Sequence, residues 1–149
     1  MESNFLGKLR NLSFNNNQLQ EKGCEYLANS QNLEMLKKLK LSGNEIKEEG
    51  LICIASSSIF KNLVYLDVSY NELRQGGAHI LSVYGNITQL QTLNIQHNVI
   101  GDQGCKLISE SDSFALVSRL IIYPGNNISP EARKYLLRSK KLRSLNSIK

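Results

Sequence analysis

The 149-residue chain has only three cysteines and two histidines, and none of its apolar runs approaches the roughly 18 residues that would span a bilayer. Its start, MESNFLGKLRNL, lacks the basic-then-apolar order of a secretory signal. Cys24, Cys53 and Cys105 are too few and too far apart for a disulfide framework, and no CxxC or Cys/His cluster offers a zinc site. These thiols are expected to be reduced and buried in a protein working in a cytosol, with no transmembrane segment. The N-x-S/T triplets at Asn11, Asn86 and Asn127 then carry no glycan, because that motif acts only in a secreted chain.

Chemistry-bearing motifs are equally scarce. HExxH, GxxxxGKS/T and GxGxxG are all missing, so no metal, phosphate or dinucleotide site and no cofactor are expected. His79 falls in a helical segment and His97 beside a turn, with no Ser or Cys placed to make a nucleophilic dyad. Adjacent Glu48 and Glu49 suit the positive end of a helix better than acid-base work. The chain is therefore read as a non-catalytic protein without a small-molecule substrate.

The composition, 41% hydrophobic and 21% charged, is that of one soluble folded domain over residues 1–149. The net charge of +5 is unevenly placed. Residues 1–130 carry 11 basic and 12 acidic side chains, whereas residues 131–149 carry 7 and 1.

Against these absences stands a repeat. Asn17, Asn44, Asn71 and Asn98 are spaced by 27 residues, with Asn126 following after 28. Gly23, Gly50, Gly77 and Gly104 keep the same spacing, and Ala132 replaces the glycine in the fifth copy. Around each Asn the chain reads LxxLxLxxNxL or a close variant, as in Leu36, Leu39, Leu41, Asn44 and Ile46. The fifth copy, Val117, Leu120, Ile122, Asn126 and Ile128, has one extra residue near Pro124 and Gly125. A degenerate sixth strand is expected around Leu142, Leu145 and Ile148.

The LxL core has period 2, which predicts a short strand with one apolar face, and the segment after the Gly changes to helical spacing. Each copy is thus strand, turn, helix. None can bury its apolar face alone, so the copies must stack, strands in a parallel sheet on one side and helices on the other, and the wider helices bend the stack with the sheet inward. Where the chain turns away from the sheet, its backbone groups need new partners, and a column of Asn amides supplies donors and an acceptor together. The Gly is expected to permit close approach or an unusual backbone angle.

With these motifs, from about Leu6 to Leu137, the chain resembles leucine-rich repeat proteins. The NxIxxxGxxxL continuation is similar to the ribonuclease-inhibitor-like subclass. Its period of 27 departs from the slightly longer alternating units of that subclass, and the Cys-rich caps of extracellular members are absent. The resemblance implies an α/β, right-handed curved solenoid whose concave parallel sheet binds a protein partner. Relatives also include activators of GTPases. A small array without caps further resembles the short leucine-rich effectors that intracellular bacterial pathogens deliver into a host cytosol.

In LxxLxLxx the residues between the leucines point outward onto the concave face. The columns so defined give Lys38, Lys40, Tyr65, Asp67, Tyr70, Asn94, His97, Arg119, Ile121 and Tyr123 as candidate partner-binding residues. Ser144 is expected to extend the column of Lys38, Tyr65 and Arg119. Large aromatic groups beside Arg and Asp match the makeup of interface anchors. The basic end, Arg133, Lys134, Arg138, Lys140, Lys141 and Arg143, reads either as a polar cap on the last repeat or as a contact for nucleic acid, an anionic membrane surface or an acidic partner.

Overall fold

Three-residue strands recur once per repeat: β1 (Asn11–Ser13), β2 (Lys38–Lys40), β3 (Tyr65–Asp67), β4 (Thr92–Asn94) and β5 (Arg119–Ile121), with a two-residue β6 (Ser147–Ile148) at the end. The computed structural model describes residues 6–149. All six strands pair in parallel in chain order, β1 to β6. Register follows the sequence period, so Leu12, Leu39, Leu66, Leu93 and Leu120 stand side by side. At the last pair Leu120 faces Ile148 and Arg119 faces Ser147. Ser147, and not Ser144, therefore extends that outward column. The chain between α5 and β6 uses Leu142 and Leu145 for packing before it reaches the sheet.

Between strands run five helices, α1 (Gln20–Ala28), α2 (Lys47–Ser56), α3 (Arg74–Val83), α4 (Gly101–Glu110) and α5 (Pro130–Leu137). They stack in order on the far side of the core. Helices pack about 8–10 Å apart and strands about 4.8 Å apart, so the stack curves with the sheet on the concave side. The core between them holds the predicted leucines together with Phe60 and Phe114, both fully buried. These two phenylalanines sit in short 3-10 turns, Ser58–Phe60 and Asp112–Phe114, in a column shared with Leu33 and Ile87.

The asparagines form a continuous ladder. Asn44 Oδ1 accepts from the N–H groups of Asn17 (3.0 Å) and Leu19 (3.2 Å), and its Nδ2 donates to the carbonyls of Phe14 and Ser42. Asn71, Asn98 and Asn126 repeat this against the copy before each. All four are buried, while Asn17 at the end of the array is exposed. Left-handed residues flank each rung: φ is positive at Asn16 and Gln18, Gly43 and Glu45, Tyr70 and Glu72, His97 and Val99, Gly125 and Asn127. Non-Gly residues in this region cost on the order of 1–2 kcal/mol each, and the amide bonds of the ladder offset that cost.

The Gly column resolves between the two expected uses. The glycines are the fourth residues of α1–α4 and have no positive φ. Close approach is what they provide: a Cβ on Gly77 would lie 2.4 Å from the Leu73 Cβ, and one on Gly104 would lie 2.9 Å from the Ile100 Cβ.

A second ladder carried no expectation. The Ser57 hydroxyl donates to the Ala28 carbonyl at 2.6 Å and accepts from Ile59 N–H, joining the end of one helix to the next repeat's 3-10 turn. Ser111 does the same with Ser82 O and Ser113 N–H, and Ser139 bridges to Ser109 O and Lys141 N–H. Tyr84 stands in that column in the third repeat, where the Asn86 side chain instead reaches the Ser56 carbonyl. The signal was present as Ser at 57, 111 and 139, but it lies outside the LxxLxL motif.

Candidate functional site

Two outward rows cross the concave sheet. One runs Asn11, Lys38, Tyr65, Thr92, Arg119, Ser147, and the other Ser13, Lys40, Asp67, Asn94, Ile121. Leucines on alternate positions anchor these strands in the core, which fixes where the outward side chains start. Lys38, Lys40 and Arg119 are exposed; Tyr65, Asn94 and Ile121 are half-buried.

Tyr65 is the centre of the cluster. The Lys40 ammonium lies 5.7 Å from its ring centroid, within cation-π range. Burial pushes the Tyr65 phenol above its ordinary pKa, the Asp67 carboxylate adds to that shift, and Arg119 opposes it. Asp67 is only 8% exposed, and its Oδ1 accepts from both Ser69 N–H (3.1 Å) and Ser69 Oγ (2.7 Å). The Ser69 hydroxyl also lies 2.9 Å from that of Ser42, tying β3 to β2 below the cluster. Asp67 thus braces the strand end and offers little surface to a partner.

Tyr70 and His97 come together at the rim. Their rings stack with centroids 4.1 Å apart and planes 12° from parallel. Both occupy the left-handed column just before the ladder Asn. The next member of that column is Gly125, where a Cβ would lie 2.2 Å from His97 Nδ1, so the missing side chain leaves the space the imidazole fills. Tyr70 remains 55% exposed and presents its free face to solvent.

Tyr123 departs from its expected position on the open sheet face. It stands at the insertion of the fifth repeat, followed by a cis peptide to Pro124, and its ring packs against the core with the Arg133 guanidinium 5.6 Å from the centroid. Its hydroxyl is buried with no hydrogen-bond partner. Burial raises the phenol's pKa, helped by proximity to Cys105 and opposed by Arg133. The insertion turns this side chain from the surface row toward the α4–α5 side, which strand alternation alone could not reveal.

The basic residues of the C-terminal segment are spread over α5 and the chain after it. Lys141 is bound to Asp112 at 2.6 Å, the one ion pair among the described residues, and the Asp112 carboxyl is held below its usual pKa by that hydrogen bond. Arg133 covers the Tyr123 ring. Lys134, Arg138, Lys140 and Arg143 are exposed. A shallow hollow of about 450 Å³ near Lys134, Arg138 and Lys140 also contains Glu110 and Glu131, so its charge is mixed.

Among the described residues no group of three His, Cys, Asp or Glu is placed to hold a metal ion, and no helix is long and apolar enough to cross a membrane. His79 is exposed on α3, apart from His97 at the rim. Cys24 and Cys105 are buried, and burial pushes both thiols up to about 12.

Residues 32–55 and 87–109 match the family model described as leucine rich repeat. These stretches hold β2 with most of α2 and β4 with most of α4, in the second and fourth copies of the unit. A comparison with curated proteins found no match. The repeating strand, Asn rung and helix give the chain the architecture of a leucine-rich repeat solenoid, and two of its copies match the repeat model directly.

Proposed function

We propose that the chain is a non-catalytic recognition module of the ribonuclease-inhibitor-like kind, working in a cytosol and binding a protein through its concave face. The observation that carries this reading is the Lys40–Tyr65 pair, with Arg119 farther along the same outward row and the Tyr70–His97 stack at the rim. In the same strands the inward columns stay apolar from repeat to repeat, while the outward ones change chemistry at every step. A scaffold needs the first regularity; only recognition has a use for the second. Tyr65, Tyr70 and Ile121 supply apolar area on this face, and Lys38, Lys40 and Arg119 supply direction.

Electrostatic binding through the basic end is less favoured, because Lys141 and Arg133 are engaged within the chain and acidic side chains share the surface. The test is affinity capture from a eukaryotic lysate followed by titration of a captured partner. Tyr65→Ala with Tyr70→Ala should weaken binding by about 2 kcal/mol or more, while Arg138→Glu with Lys140→Glu leaves it unchanged. Unchanged affinity in the tyrosine variant, or loss confined to the basic-end variant, would overturn the reading.

A further inference from the structure

Charge on this protein is sorted by surface, and we infer that the partner of the concave face is an acidic protein segment, its carboxylates meeting Lys38 and Lys40 at one end of the sheet and Arg119 near the other. This rests on the concave-face reading above and adds the chemistry of the ligand to it.

Of the 13 acidic residues, Glu2 lies outside the described residues, Asp67 is on a strand, and the other 11 are in helices or in the turns between helices and strands. The body of the chain has nearly equal numbers of acidic and basic groups, so an unsorted surface would leave the sheet face close to neutral. Instead its outward rows carry Lys38, Lys40 and Arg119, all exposed, against one carboxylate that is buried and already holds two donors from Ser69. Among the described residues none of the three cations has a carboxylate within ion-pair distance, although Lys141 elsewhere does. The face is thus cationic with no exposed strand carboxylate of its own.

The geometry also favours a polypeptide over a nucleic acid. Lys38 and Lys40 on β2 are three strand spacings from Arg119 on β5, about 14 Å. Between them lie Tyr65, Thr92 and Asn94, with no further cation, and the one carboxylate there, Asp67, is buried against Ser69. A nucleic-acid backbone presents a phosphate at every nucleotide and calls for closer cations along its path. A protein segment with acidic groups at its two ends and an apolar side chain over Tyr65 matches the rows as they stand.

The experiment selects a random 12-residue display library on the native chain, then titrates synthetic copies of the selected peptides. The titrations use native protein, a Lys38→Glu/Lys40→Glu/Arg119→Glu variant and a Tyr65→Ala/Tyr70→Ala variant, each checked for a native circular dichroism spectrum. Selected peptides should be enriched in Asp and Glu over the input, bind about tenfold more weakly to the charge-reversed variant, and weaken between about 50 and 300 mM salt. Peptides without acidic enrichment that still lose binding to the tyrosine variant would overturn the acidic partner and leave the concave face as the binding surface. Peptides indifferent to both variants, or an empty selection, would overturn both. A single-stranded 20-nucleotide RNA that displaces the peptides and loses binding on charge reversal would assign the face to nucleic acid instead.

Discussion

The backbone N–H of Asn44 donates to Oδ1 of Asn71 at 2.9 Å, and the same bond, one repeat to the next, links Asn71 to Asn98 and Asn98 to Asn126. Asn71→Ala would strand the N–H groups of Asn44 and Ile46 and the carbonyl of Leu41 inside the protein, while the Ser69 carbonyl keeps only the Gly43 N–H. A stability loss of about 3 kcal/mol or more is expected in urea unfolding. Asn17→Ala should cost well under half of that, since Asn17 is exposed and its amide donates only to Asn15 O. Equal losses at the two positions would show that the ladder bonds are not the source of the effect.

Gly77 and Gly85 should respond oppositely to alanine. At Gly77 the new methyl would stand 2.4 Å from the Leu73 Cβ, whereas at Gly85 nothing lies within 4 Å. Gly77→Ala is expected to destabilise by about 1–3 kcal/mol through overpacking. Gly85→Ala should be neutral or stabilise by about 0.5 kcal/mol through the unfolded chain. Thermal melts of the two variants, side by side, test close approach as the reason for the Gly column.

The serine ladder makes a graded prediction. Ser57→Ala removes the side-chain donor to Ala28 O and the acceptor for Ile59 N–H, with an expected cost of about 1–2 kcal/mol. Ser111→Ala should cost less, because Ser113 Oγ also reaches the Ser82 carbonyl at 3.1 Å. Chemical denaturation of both variants tests the order.

Alkaline pH should weaken the fold through its thiols. Burial raises Cys24 and Cys105 from an ordinary value of 9.0 to about 12, with Cys53 and Asp102 adding to the respective shifts. Above pH about 9 the unfolded chain releases these protons and the folded chain keeps them, so stability falls as pH rises from about 9 toward 12. Cys24→Ala/Cys105→Ala should be less stable near neutrality yet flatter with pH over that window. In native protein at pH 8 an alkylating reagent should reach only the half-buried Cys53, and Cys24 and Cys105 should react on unfolding. A pH slope unaltered by the double substitution would remove the thiols as its cause.

Much of this architecture was legible because its determinants recur. A column such as Leu39, Leu66 and Leu93 announces itself by spacing, and the three residues are in fact neighbours in the sheet. Single events carry no such signal. Tyr123 looked like a surface residue until the insertion turned it inward, and Asp67 looked like a partner contact until Ser69 claimed its carboxylate. Ser144 lost its place to Ser147 because the path after α5 is not a repeat and its length could not be counted by analogy.

By itself, then, the amino-acid order determined the unit, its stacking and the inward columns, since apolar periodicity and a regular Asn leave few ways to bury both. Tertiary structure decided which outward groups meet. The Tyr70–His97 stack depends on two left-handed turns lying in register and on Gly125 leaving room below the imidazole. Likewise, Lys40 reaches Tyr65 only because the 27-residue repeat brings β2 beside β3. Such contacts join residues distant in sequence, and the fold alone sets their distance.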